Sequence, residues 1–272
     1  MKPADTLMTA QALAEGLPDI RVLDCRARLG DPGFGARVFA EGHIPGAQRA
    51  DLDRDLAAAP GKAGRHPLPD ADALVARCRE WGIDDAMQVV VYDDMGGMFA
   101  ARAWWLLRWL GHDAVAVLDG GWSAWLAAGG TVQQHTATLA PGHFTRRTAL
   151  TRTVSASDLL AAPPHLLLDA RAPERFEARA EPIDRIAGHI PGARCVPASG
   201  NLDASQHFLP ASALRARFPA MTPDCVCYCG SGVTAAHNIL AMRVAGWPEP
   251  ALYPGSWSEW IEDPDRPVAT GP

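Results

Sequence analysis

Apolar residues fall into short runs separated by amphipathic stretches, and this pattern occurs twice along the chain. Residues 21–23, Gln88–Tyr92 and 114–118 are brief hydrophobic, β-branched-rich segments, each bounded by turn-forming residues, and read as strands. Between them, 70–81 has helical spacing, with Leu74, Val75 and Cys78 on one side and Gly82 as the stop. Residues 97–110 predict a second helix ending at Gly111, and 122–128 a short third one ending at Gly129-Gly130. Beyond the break at Pro163-Pro164 the order returns, with strands at 166–168 and 225–228 and helices at 212–218, 234–245 and 256–261. Short apolar strands alternating with helices predict an α/β fold with a parallel sheet covered on both faces.

The repetition extends to individual residues. Gly42-His43-Ile44-Pro45-Gly46-Ala47 returns as Gly188-His189-Ile190-Pro191-Gly192-Ala193, and Leu23-Asp24-Cys25-Arg26-Ala27 as Leu168-Asp169-Ala170-Arg171-Ala172. Gly121-Trp122-Ser123-Ala124-Trp125 has its counterpart in Ser256-Trp257-Ser258-Glu259-Trp260. In each copy a strand ends in tyrosine, Tyr92 or Tyr228. The loops after these tyrosines differ: Asp93-Asp94-Met95-Gly96-Gly97 in the first copy, Cys229-Gly230-Ser231-Gly232-Val233-Thr234 in the second. Two domains are expected, 1–140 and 154–272, joined by a linker at 141–153 that begins at Pro141-Gly142. The tryptophans at 104, 105, 122, 125, 257 and 260 have the spacing of core residues.

At 272 residues and 48% hydrophobic content the chain can fill two cores of ordinary size. The net charge of −6 argues against a nucleic-acid or anionic-membrane surface, since both need concentrated Lys and Arg. The first residues contain no apolar run of signal-peptide length, and no stretch approaches a bilayer span, so a cytoplasmic location is expected. The six cysteines are then expected to be reduced. They lack Cys-x-x-Cys spacing, which argues against zinc, and Cys225 and Cys227 read as small core residues.

Cys229 stands at the carboxyl end of a predicted parallel strand, where such folds bind ligands. Gly230 and Gly232 allow the loop to turn its N–H groups inward, and the helix beginning near Thr234 points its positive end at the same place. Both effects favour the thiolate, the nucleophilic form of cysteine. The helix end contributes only about 0.3–1 kcal/mol, so inward N–H groups have to supply the rest. The alternative is a buried cysteine in a glycine turn. A cysteine phosphatase loop would need arginine at the sixth position after the cysteine, and Ala235 stands there. Asp93 occupies the cysteine position of the first copy, so that domain is expected to be catalytically silent.

On these motifs, together with Asp119-Gly120-Gly121-Trp122 and Gly255-Ser256-Trp257, the chain resembles the tandem-domain rhodanese family of sulfurtransferases. The resemblance implies two five-stranded parallel sheets with helices on both faces, a site at the domain interface, a persulfide intermediate on Cys229, and no metal or organic cofactor. Family members that use thiosulfate carry Arg or Lys inside the loop. Those that use 3-mercaptopyruvate read Cys-Gly-Ser-Gly-Val-Thr, and 229–234 match this at every position, which gives Gly230, Gly232, Val233 and Thr234 a substrate-binding role. Ser231 would orient the donor thiol, unless it is a plain turn serine. Arg175 matches the first substrate arginine. The second usually follows a Glu-Pro pair, but Ile183 follows Glu181-Pro182; Arg185 is the nearest candidate and Arg179 the other. Such members also resemble one another in an Asp-His-Ser relay, for which His43 matches the histidine and Asp31 is the nearest aspartate. Alternatively, His43 and His189 do one structural job twice. The expected acceptor is cyanide, a small thiol or thioredoxin. Rival readings are a thiosulfate:cyanide sulfurtransferase and a sulfur-carrier or binding module with little turnover.

Overall fold

The computed structural model describes residues 4–219, 222 and 224–272. The chain divides into two compact units. The first is Met1–Ala58, Pro69–Leu150 and Ala204–Phe208; the second is Ala59–Leu68, Thr151–Asp203 and Leu209–Pro272. Each unit therefore incorporates a short arm from the other half of the sequence. Related residues stand at the ends of the two arms, His66-Pro67-Leu68-Pro69 and His207-Phe208-Leu209-Pro210, the second running past its arm by two residues.

The first unit runs β1 (Leu7–Met8), α1 (Ala10–Gly16), β2 (Ile20–Asp24), α2 (Phe34–Glu41), β3 (Gln48–Arg49), α3 (Ala71–Glu80), β4 (Gln88–Tyr92), α4 (Ala100–Trp109), β5 (Val115–Leu118) and α5 (Gly121–Ala127). Its five strands are all parallel, in the order β1-β5-β4-β2-β3. β4 lies at the centre, so its Val89-Val90-Val91 run is buried on both faces. α3 begins where Asp70 accepts the N–H groups of Asp72 and Ala73.

The second unit runs α6 (Ala156–Ala161), β6 (Leu166–Asp169), α7 (Pro173–Phe176), β7 (Arg194–Cys195), α8 (Ala211–Arg217), β8 (Cys225–Tyr228), α9 (Thr234–Val244), β9 (Ala251–Leu252) and α10 (Ser256–Trp260). Its sheet has the order β7-β6-β8-β9, again all parallel. The resemblance implies five strands here, but the described residues form four. Thr153 pairs with Leu252 through a single bridge, at the place where β1 pairs with β5 in the first unit, and one bridge does not make a strand. Cys225 and Cys227 are fully buried in β8, as their alternation predicts. Trp104, Trp105, Trp125, Trp257 and Trp260 are buried in the two cores, while Trp122 is half-buried.

The repeated motifs do the same structural work twice. Asp24 receives Arg26 bidentately and Asp169 receives Arg171 the same way. The two arginines donate onward to Gly42 O at 2.7 Å and Gly188 O at 2.6 Å. Each guanidinium also lies over a tryptophan, Trp122 at 4.7 Å and Trp257 at 4.8 Å. A buried ion pair of this kind ties the end of β2 or β6 to the Gly-His-Ile-Pro turn, and removing one partner leaves the other charge unpaired.

The loop after β4 closes on its own side chain. The Asp93 carboxylate accepts the N–H groups of Met95 and Gly97 on one oxygen and of Phe99 and Ala100 on the other, all at 2.7–2.9 Å. Burial pushes this carboxyl above its ordinary value, and the four N–H bonds offset that only in part. The first unit thus fills its ring of inward N–H groups with an internal anion. Asp93→Ala strands four buried donors and is expected to destabilise the first unit by about 3 kcal/mol in chemical denaturation. A loss under about 1 kcal/mol would show that the loop does not depend on that carboxylate. No described helix is long and apolar enough to cross a membrane.

Candidate active site

β8 delivers Cys229 to the end of the second sheet and the chain turns at once. Gly232, at φ 76°, brings its N–H back onto Cys229 Sγ at 3.1 Å. The backbone of Cys229 is fixed on both sides. Its N–H donates to Ser256 Oγ at 3.1 Å, and its carbonyl accepts the N–H of Trp257 at 3.0 Å. Ser256 Oγ donates in turn to Tyr253 O at 2.9 Å. Ser256 holds φ 56°, a conformation that glycine takes readily and serine rarely, and the equivalent residue in the first unit is Gly121 at φ 54°. The two hydrogen bonds of its hydroxyl hold it there. Val233 is buried ahead of α9, and Thr234 is the first residue of that helix.

Ser231 is the second polar side chain of the loop. Its hydroxyl meets His66 Nδ1 at 2.7 Å, and both residues are buried. His66 belongs to the Ala59–Leu68 arm, which forms part of this unit. The arm is anchored where Arg65 N–H donates to Ser258 Oγ at 3.0 Å, and Gly64 lies so close to Gly255 O that a Cβ would stand 2.8 Å from it.

Two guanidinium groups lie beside Gly230. A Cβ on that glycine would be 3.0 Å from Arg65 Nη2 and 3.4 Å from Arg175 Nη1. Arg175 leaves α7 and grips Glu181 through Nε at 2.9 Å and Asp184 through Nη2 at 2.7 Å. Arg65 Nη1 reaches the other oxygen of Asp184 at 2.5 Å. Burial pushes the Glu181 carboxyl up, but the bonds from Arg175 and from the N–H groups of Asp184 and Ile183 outweigh it and hold the group below the usual carboxylate range.

The structure brings Cys229, Gly230, Ser231, Gly232 and Arg175 together, and three other expected residues have different partners. The histidine that meets Ser231 is His66, not His43. In the first unit His43 Nδ1 bonds Phe39 O at 2.8 Å and its ring stacks on Phe39, as His189 does with Phe176 O and the Phe176 ring. The repeated histidine serves the turn in both copies. Asp31 is half-buried on the loop before α2, where its carboxylate pairs with Arg37 at 2.5 Å. Arg185 is bound to Ile261 O and lies 3.7 Å from Glu262, which directs its charge toward the end of α10 rather than to Gly230. His66 and Arg65 were not among the expected site residues. A signal for His66 is present in the repeat of His-x-Leu-Pro at 66–69 and 207–210, but it does not extend to Arg65, where the second copy has Gln206.

The remaining thiols do not compete with Cys229. Burial pushes the Cys25, Cys78 and Cys227 thiols far up and that of Cys195 to about 11, so all four stay protonated and non-nucleophilic at neutral pH. Among the described residues no cluster of His, Cys, Asp and Glu has the arrangement of a metal site.

Comparison with known proteins shows the family. A model of the rhodanese-like domain matches residues 9–128 and again 153–263. A Pseudomonas aeruginosa protein named "Probable 3-mercaptopyruvate sulfurtransferase" is 52% identical over 97% of this chain and 98% of its own. An Arabidopsis thaliana protein named "Thiosulfate/3-mercaptopyruvate sulfurtransferase 2" is 34% identical over 93% of this chain and 82% of its own. Among solved structures, the 3-mercaptopyruvate sulfurtransferase of Escherichia coli aligns with a TM-score of 0.81 at 31% identity, over 94% of this chain and all of that one. That of Leishmania major gives a TM-score of 0.86 at 31% identity, over 94% of this chain and 74% of that one. With two matched domains and relatives of this similarity over almost its whole length, the chain belongs to the rhodanese family and is a sulfurtransferase related to the 3-mercaptopyruvate enzymes.

Proposed function

We propose that the protein takes sulfane sulfur from 3-mercaptopyruvate onto Cys229 and passes it to a thiol or to cyanide. The observation that carries this reading is the pairing, in one loop, of a sulfur atom facing the Gly232 N–H with a Ser231 hydroxyl bonded to His66. The first feature favours negative charge on sulfur. The second places a proton acceptor next to the donor's thiol. Arg175 offers a guanidinium edge for the carboxylate of a 2-oxo acid.

In the first half-reaction the Cys229 thiolate attacks the donor sulfur. The new S–S bond forms as the C–S bond of the donor breaks, and its electron pair leaves on pyruvate enolate. The thiol proton of the donor passes through Ser231 Oγ to His66 Nδ1 and serves to protonate the enolate carbon. Cys229 persulfide anion remains, facing the same N–H. In the second half-reaction the acceptor attacks the outer sulfur and the Cys229 thiolate leaves, giving ping-pong kinetics. The chemistry needs no metal or organic cofactor. The acceptor is a small nucleophile or a reduced protein thiol such as that of thioredoxin.

Thiosulfate is the second reading, favoured by the two guanidinium groups beside Gly230, since its sulfonate end is also an anion. Against it, positions 230–234 contain no cation.

Three outcomes test these assignments. Mass spectrometry after treatment with 3-mercaptopyruvate should find one added sulfur, on the peptide carrying Cys229, and none in Cys229→Ser; steady-state rates should favour 3-mercaptopyruvate over thiosulfate, and the reverse preference would overturn the donor assignment. Ser231→Ala should lower kcat for 3-mercaptopyruvate by about 10²-fold, as for loss of a general acid–base group, with His66→Gln giving a loss of similar size. Full activity in either variant would remove the proton relay. Ser256→Ala keeps the left-handed backbone and loses both hydroxyl bonds, whereas Ser256→Gly relieves the backbone. The alanine variant should therefore unfold at lower denaturant, by about 1 kcal/mol relative to glycine, and equal stability would show that Ser256 is unstrained.

A further inference from the structure

We propose that Arg65, carried by the Ala59–Leu68 arm, forms with Arg175 a two-guanidinium seat for the anionic end of the sulfur donor, and that Asp184 sets the seat's geometry. This rests on the sulfurtransferase reading of Cys229 and names the residues that recognise its donor. Three observations carry it.

The first is how the guanidinium edges are used. Asp184 takes Nη1 of Arg65 on one oxygen and Nη2 of Arg175 on the other, and Glu181 takes Nε of Arg175. What remains on Arg175 is Nη1, and on Arg65 the Nε and Nη2 side. The second is where those remaining edges point. Arg65 Nη2 and Arg175 Nη1 both lie beside Gly230, the residue that follows the reactive sulfur. Both approach Gly230 so closely that even a Cβ at that position would crowd them. The third is an unused donor. Arg65 Nε is buried and has no hydrogen-bond partner. Buried guanidinium N–H groups are normally satisfied, so an unpaired one beside a reactive loop is a place for an acceptor to bind. Two planar guanidinium groups held by a shared carboxylate present a fork that suits a carboxylate or a sulfonate. Ile183, between Glu181 and Asp184, carries no charge, so the second cation of this site comes from the arm.

Kinetics and alkylation together test the assignment. Arg65→Ala should raise KM for 3-mercaptopyruvate by ten- to a hundredfold, the range expected for loss of a charge-assisted hydrogen bond, with a smaller change in kcat. Arg65→Lys should recover part of the loss. Running thiosulfate in parallel separates the two donor chemistries: a KM rise for 3-mercaptopyruvate alone assigns the seat to a carboxylate, and a rise for both assigns it to either anion. The second measurement does not depend on turnover. Cys229 is alkylated with iodoacetate, which carries a carboxylate, and with iodoacetamide, which does not. The ratio of the two rates cancels any change in the thiol itself. Arg65→Ala should lower this ratio at least fivefold relative to wild type. An unchanged ratio together with an unchanged KM would overturn the seat, even if Cys229 persulfide still forms. Failure of wild type to form persulfide with the ratio still dependent on Arg65 would instead overturn the donor reading and leave the anion seat standing.

Discussion

The site depends on one contact, the Gly232 N–H against Cys229 Sγ at 3.1 Å. It forms because β8 ends at Tyr228 and the chain must turn within a few residues to start α9. Only a residue tolerant of positive φ can bring its N–H back onto the sulfur, and Gly232 does so at φ 76°. The first unit shows the same constraint met differently. Its loop points four N–H groups at one place, and the Asp93 carboxylate occupies it permanently. One copy of the fold has sealed its anion site with a side chain and the other has left a sulfur there. Two related loops therefore differ in what stands at their centre, a carboxylate in the first unit and a thiol in the second.

The second constraint is the reach of the short arm. His66 is encoded in the first half of the chain yet completes the Ser231 hydroxyl of the second unit, and Arg65 beside it pairs with Asp184. The reciprocal arm, Ala204–Phe208, belongs to the first unit, where Phe208 N–H donates to Asp119 at 2.9 Å and a Cβ on Gly120 would stand 2.5 Å from His207 Nε2. The loop around Cys229 thus takes the histidine on Ser231 and one of the two guanidinium groups beside Gly230 from a distant part of the sequence.

Much of the fold could be read from the chain because its central strands and long helices have strong local signals. Gln88–Tyr92 and Cys225–Tyr228 are apolar runs too short for helices, and the predicted helices over 70–81 and 234–245 differ from α3 (Ala71–Glu80) and α9 (Thr234–Val244) by no more than one residue at either end. The two-residue strands β1, β3, β7 and β9 leave no periodicity to detect, because pairing with a neighbour defines them. α2 was also missed; it opens after Gly33 with a second glycine at position 35, which weakens any helical signal. At the site, Cys229 was visible from its glycines and its place after a strand. The histidine that meets Ser231 was not, because the repeated Gly-His-Ile-Pro motif points to His43, whose ring is bonded to Phe39 in the way His189 is to Phe176. Spacing along the chain likewise favoured Asp31 and Arg185, while proximity in the fold selected Asp184 and Arg65. Partners that come from a distant arm cannot be found by counting positions around a motif.

The most direct test of the account is a high-resolution crystal structure of the protein after brief exposure to 3-mercaptopyruvate without acceptor. The account predicts density for one additional sulfur bonded to Cys229 Sγ, with the Gly232 N–H directed at the sulfur pair and His66 still on Ser231. Additional sulfur on a different cysteine, or a modified Cys229 swung away from the loop amide, would contradict it.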